Sequence, residues 1–213
     1  MKKGMIASAV LGMVRTNCYF LINRETDEAL IIDPADDAAA VRDWFLNNQK
    51  KPAAILLTHG HFDHILAAEE LRKRFDIKIY AGDGEQELLE NASWNLSASW
   101  SSQVVLHADE FVKDGEILSL AGFQIRVIAT PGHTAGGVSY YLPEEQILFS
   151  GDTLFAGSYG RVDFPTSSMS QMVHSVRDRL LVLPEDTVVY PGHGEATTIG
   201  QEKRYNPLAE YEE

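Results

Sequence analysis

His59, His61, Asp63 and His64 place four metal-binding side chains within the run Thr58-His59-Gly60-His61-Phe62-Asp63-His64. Imidazole nitrogens and carboxylate oxygens are the donors that zinc and its transition-metal neighbours take. Taken singly, these residues have ordinary readings: Asp63 suits a helix N-cap, and one histidine at a strand end is usually just hydrogen-bonded. Taken together, four polar heads at one strand end would compete for too few partners unless a cation drew them in. The cluster therefore predicts a metal site.

Such side chains need rigid supports, and the flanking sequence supplies them. The apolar run Ala53-Ala54-Ile55-Leu56-Leu57 reads as the end of a buried strand. On extended backbone residues two apart share a side, so His59 and His61 point into one space. Ile65, Leu66, Ala68 and Leu71 have helical spacing, which predicts a helix over 65–75 with Asp63 and His64 on its first turn. Three more apolar strands run into a small turn and then a ligand-type residue: Val127 to His133, Ile147 to Asp152 and Val188 to His193. Pro131-Gly132 and Pro191-Gly192 favour tight turns with glycine at positive φ, presenting His133 and His193 rigidly. Five of the seven histidines occupy these positions, leaving His107 and His174 for structural or solvent-facing roles. This census points to two divalent ions, with His59, His61 and His133 on one, Asp63, His64 and His193 on the other, and Asp152 between them.

The remaining pattern alternates strand and helix. Strands are predicted near 5–10, 17–23, 29–32, 77–81, 110–113, 116–120, 123–130, 138–142, 146–150 and 187–190, with helices over 37–48, 84–89 and 168–181. Residues 91–102, with Trp94 and Trp100, have no clean period and read as a loop that packs its tryptophans or carries substrate contacts. After Thr198 the chain is polar and acidic. No Gly/Ser/Pro-rich linker divides it, so residues 1–213 are expected to form one domain of two packed sheets with helices outside.

Composition narrows the function. A net charge of −13 repels phosphate, which argues against nucleic acid and anionic membranes as partners. The start Met1-Lys2-Lys3 followed by an apolar run has the layout of a short secretory signal, but no small-x-small cleavage site precedes Arg15 and a first strand fits better. One cysteine, Cys18, forms no internal disulfide and suits a reducing compartment, so a cytoplasmic protein is expected.

The set His-x-His-x-Asp-His at 59–64, with His133, Asp152 and His193, resembles the metallo-β-lactamase superfamily across nearly the whole chain. The resemblance implies an α/β fold, an αββα sandwich of two mixed β-sheets flanked by helices, with a dinuclear site on the edge between the sheets. Asp152 in Ser-Gly-Asp-Thr-Leu-Phe, with no cysteine ligand nearby, is similar to glyoxalase II (hydroxyacylglutathione hydrolase). Gly160-Arg161-Val162-Asp163-Phe164-Pro165 resembles the short bacterial glyoxalase II-like proteins. The helical extension by which full-length glyoxalase II grips glutathione is expected to be absent, leaving Lys203 and Arg204 as the basic residues near the end.

What the resemblance implies is a hydrolase of a hydroxyacyl thioester such as S-lactoylglutathione, holding two divalent ions, zinc foremost with iron or manganese as alternatives. Asp63 and Asp152 would be the catalytic carboxylates, with Asp63 shuttling a proton. Lys203, Arg204 and Arg161 are candidate substrate contacts, although for Arg161 an internal ion pair with Asp163 that fixes the loop after Asp152 is the favoured use. The main rival resembles the chain in the same motif: a persulfide dioxygenase with one iron on His59, His133 and Asp152. A lactonase and a metal-binding protein without catalysis complete the alternatives, and the oligomeric state is left open.

Overall fold

The computed structural model describes residues 2–99 and 103–211. Trp100, and with it the end of the predicted 91–102 loop, lies outside the described residues.

Strand alternation builds the layers. In β2 (Thr16–Asn23) every residue is buried, because Phe20 and Ile22 face one way and Tyr19 and Leu21 the other. β3 (Glu28–Ile32) and β4 (Lys51–Leu56) repeat the division, sending Ile31 and Ile55 outward and Leu30, Ile32 and Leu56 inward. Together with β1 (Gly4–Leu11), β5 (Lys78–Gly82) and β6 (Glu110–Val112) they form a six-stranded sheet in the order β1-β2-β3-β4-β5-β6. Pairing is antiparallel from β1 to β3 and parallel from β3 to β6. The outward residues pack under α1 (Ala38–Asn47) and its partner helix, with Phe20, Val41, Phe45 and Leu71 in one cluster.

The second sheet contains β7 (Ile117–Leu120), β8 (Phe123–Ala129), β9 (Val138–Leu142), β10 (Ile147–Gly151), β13 (Val188–Pro191) and β14 (Thr197–Thr198), in the order β14-β13-β10-β9-β8-β7. Its inner residues Phe123, Ile125, Val127, Tyr140 and Phe149 meet the inner face of the first sheet. Its outer residues Ile128, Leu148 and Val189 meet Val173, Val176 and Leu180. Each fully buried Phe, Leu or Ile contributes roughly 2 kcal/mol. The result is the expected αββα sandwich of two mixed sheets. A two-stranded hairpin, β11 (Leu154–Phe155) with β12 (Ser158–Tyr159), follows β10. No helix among the described residues is long and apolar enough to cross a membrane.

Three local readings are corrected. Asp63 and His64 do not open a helix running to 75: they lie in the single turn α2 (Phe62–Ile65), and α3 starts afresh at Ala68 and ends at Phe75. The break arises because the Ala67 N–H donates to the Pro34 carbonyl at 3.0 Å, not into its own helix. The 84–89 segment is a 3₁₀ turn, Asp83–Glu85, leading into α4 (Gln86–Leu89). The 168–181 helix is α5 (Met169–His174) continued by a wider π-helical turn, Ser175–Leu180. The tail adds α6 (Ile199–Tyr205), whose Thr198 cap accepts the Gln201 N–H and whose Ile199 is buried.

Candidate metal centre

The candidate ligands converge at one edge of the sandwich, where β4, β8, β10 and β13 end. His59, His61, His64, His133 and Asp152 are buried, while the side chains of Asp63 and His193 keep 14% and 25% exposure. Donor atoms fall into three groups, each within 4.8 Å: His59, His61 and His133; His59, His64 and Asp152; Asp63, His64 and His193. Asp152 touches both outer groups. Its Oδ1 lies 3.5 Å from His64 Nε2, and its Oδ2 lies 3.6 Å from His133 Nε2 and 3.5 Å from His193 Nε2.

Neighbouring hydrogen bonds set the tautomers. The Thr58 hydroxyl donates to Asp33 Oδ2 at 2.6 Å, so it can only accept from His59 Nδ1 at 3.2 Å, which turns the His59 Nε2 lone pair to the site. Asp33 Oδ2 also accepts from His64 Nδ1 at 2.9 Å, and the Arg161 carbonyl accepts from His133 Nδ1 at 2.8 Å. His133 Nε2 then faces His61 Nδ1 at 2.9 Å. His59 Nε2, His61 Nε2, His64 Nε2 and Asp152 Oδ1 are buried with no hydrogen-bond partner among the described residues. Orphaned polar atoms of this kind are costly unless a cation satisfies them, so the residues fit a dinuclear metal site.

The charge balance agrees. Burial, then the neighbouring imidazoles, holds His59 and His61 well below the ordinary imidazole range, in the neutral form a metal needs. Burial would raise the Asp63 carboxyl, but His64, His193 and the Thr16 hydroxyl outweigh it and hold the group well below the usual carboxylate range. Burial likewise works against charge on His64, yet Asp63, Asp152 and Asp33 push it up to about 10. Three carboxylates, from Asp33, Asp63 and Asp152, within 3.5 Å of one imidazole make a site suited to positive charge.

The turns behave as their glycines require, for different reasons. Gly132 adopts φ +144 with the Met172 backbone where a Cβ would stand, whereas Gly192 keeps an ordinary φ and is needed because a Cβ would strike Asp152 Oδ1. β2 secures the last turn: Asn17 Nδ2 donates to the Pro191 and Gly194 carbonyls and the Tyr19 hydroxyl to Pro191. Asn17, Tyr19, Thr16, Asp33 and Thr58 all escape the sequence reading. Asp33-Pro34 directly follows the strand predicted over 29–32, which ends as β3 at Ile32, and a carboxylate at the end of a buried strand was the available signal.

A cavity of about 460 Å³ opens above the cluster, walled by Val14, Phe62, Leu96, Phe155 and Phe164. Leu96 and Ser99 bring the 91–99 loop to this wall, while Trp94 does not line it. Arg161 does, as the one basic side chain besides the histidines among the described residues, and it is held bidentately by Asp163 at 2.9 and 2.7 Å and stacks on Phe164 at 4.3 Å. Lys203 and Arg204 are not brought to the cavity. They lie on α6, where Lys203 Nζ donates to the Leu183 carbonyl and both approach Glu185 at 3.9 Å. Changing both to Ala is accordingly expected to leave KM within about twofold of wild type, as measured by steady-state kinetics.

Residues 11–193 match the metallo-beta-lactamase superfamily model, and the chain belongs to that superfamily. Among its relatives is a probable metallo-hydrolase, YqgX of Bacillus subtilis, 38% identical over 93% of this chain and 94% of the relative. Hydroxyacylglutathione hydrolase GloC of Haemophilus influenzae is 35% identical over 90% and 92%. In three dimensions the chain superposes on the crystal structure of BLEG-1, a B3 metallo-beta-lactamase, with TM-score 0.92 and 40% identity, covering 97% of this chain and 100% of that one.

Proposed function

We propose that the protein hydrolyses a thioester of a small hydroxyacyl group, with S-lactoylglutathione as the reference substrate and two divalent ions as cofactors. The observation that carries this reading is Asp152 set between two histidine-rich donor groups beneath an open cavity. His59, His61 and His133 would hold one ion, Asp63, His64 and His193 the other, and Asp152 both; imidazole and carboxylate donors suit zinc, and accept iron or manganese. Bound there, such ions would supply a water whose pKa is brought toward 7 and a Lewis acid for an acyl carbonyl. A thiol with pKa near 8.5 departs as thiolate, which relieves the protein of providing a strong acid. Asp63, ionised and accepting the Thr16 hydroxyl at 2.8 Å, sits at the cavity wall as the group that takes a proton from water. The relation to GloC supports the substrate class, and the charge of −13 supports a small molecule over nucleic acid or membrane.

A second reading, β-lactam hydrolysis, draws on the 40% identity to BLEG-1. Metal analysis of natively purified protein, with thioester, β-lactam and persulfide-dependent O₂ assays run side by side, separates the readings. Two ions per chain with thioester turnover is the expected result. One ion even with excess Zn²⁺, together with O₂ uptake on glutathione persulfide, would overturn the proposal in favour of a mononuclear iron dioxygenase.

A further inference from the structure

Glu85 has no place in the chemistry above, yet it is a fully buried acid with a specific pair of partners. It ends the 3₁₀ turn after β5, at 0% exposure. Its Oε2 accepts the Gly60 N–H at 2.7 Å, and its Oε1 accepts the Gly136 N–H at 2.9 Å. Among the described residues no lysine or arginine pairs with it. A buried carboxylate with no cation is expensive, so two main-chain donors on two different loops, with the Thr134 hydroxyl near it on the second, are what keep it there.

Those two loops carry three candidate ligands. Gly60 lies between His59 and His61. Gly136 lies three residues beyond His133, inside a turn closed by Thr130 N to Gly137 O at 2.8 Å and Gly132 N to Thr134 O at 2.9 Å, so a shift at Gly136 is passed to His133. The approach is close on both sides. A Cβ on Gly60 would stand 2.8 Å from Leu88 and Leu89, and one on Gly136 would overlap the Gly84 backbone. Only a side chain with an acceptor at each of two oxygens can accept from both loops at once, and glutamine would turn its NH₂ toward one of the donors.

We infer that Glu85 is a positioning residue that locks the His59–His61 loop to the His133 loop, and so sets the affinity of the ion held by these three histidines without setting that of the other. Asp63, His64 and His193 are tied instead to Thr16, Asp33 and the Asn17 contacts, none of which Glu85 touches. The inference rests on the dinuclear reading of the site.

Glu85→Gln tests it. Zinc-loaded wild type and variant are dialysed against graded chelator and their metal counted, with unfolding of each metal-free form followed in parallel. The variant is expected to drop from two ions to one at a chelator concentration about 10- to 100-fold lower than wild type, and to hold the second ion as wild type does. Loss of both ions together, or of neither, overturns the positioning role. Wild type that never exceeds one ion refutes the dinuclear reading instead. If Glu85→Gln does not fold, zinc-loaded wild type decides by NMR. Couplings through the hydrogen bonds from the Gly60 and Gly136 amide nitrogens to the Glu85 carboxyl carbon are expected, and absence of either overturns the inference.

Discussion

Asp152→Ala is expected to lower kcat by more than about 100-fold, beyond the 10- to 100-fold typical of changes to residues that merely support ligands. The circular dichroism spectrum should be unchanged. The first expectation follows from position: one carboxylate reaches His64 through Oδ1 and both His133 and His193 through Oδ2, so its loss uncouples the two donor groups. The second follows from what the side chain does not do. Oδ1 accepts no hydrogen bond from the described residues, and Asp152 stands just past the end of β10, outside the three apolar clusters. Metal content measured alongside should fall below two ions per chain. Activity within tenfold of wild type at full metal loading would rule out a bridging role for Asp152.

The largest effect on stability is expected at Asp33. Its carboxylate, 2% exposed, accepts the Thr58 N–H at 2.8 Å, the Thr58 hydroxyl at 2.6 Å and His64 Nδ1 at 2.9 Å. Asp33→Ala leaves three buried donors without an acceptor, at about 1–3 kcal/mol each before relaxation. It also puts alanine at φ +50, which aspartate tolerates better. A loss of about 3–5 kcal/mol is expected by urea unfolding, in the range for breaking a buried ion pair from one side. Asp33→Asn keeps one acceptor and the backbone preference, and should fall between the two. An alanine variant within about 1 kcal/mol of wild type would show that the Thr58 and His64 donors find other partners.

The sheets and the ligand-bearing turns were legible because both follow from local pattern. Tyr19 to Ile22 alternate between the two faces of their sheet, and so do Ala54, Ile55 and Leu56, with Ala54 and Leu56 facing inward and Ile55 outward. That alternation needs no knowledge of distant residues, and a histidine after Pro-Gly declares itself within three positions. What lay beyond local pattern was the layer behind the ligands. Asp33 meets His64 across 31 positions and Arg161 meets His133 across 28, through contacts that only the packed sheets create. The helix expected over 65–75 failed for the same reason, since a carbonyl from Pro34 captures the Ala67 N–H. α6 escaped because its apolar side is small: Ile199 is buried, but the other anchor is Glu202, whose carboxylate collects Thr197, Gly157 and Asn206. The basic residues on that helix therefore suggested a substrate grip that the fold turns toward Glu185.

The contact between His133 and residue 161 runs through a main-chain carbonyl. Every amino acid carries that oxygen, so the side chain at 161 can be exchanged in the course of evolution without disturbing the tautomer of His133. The cavity wall and the centre beneath it are in this respect separable: recognition can drift at the rim, from a guanidinium to an apolar or acidic group, while the histidine below keeps the same acceptor.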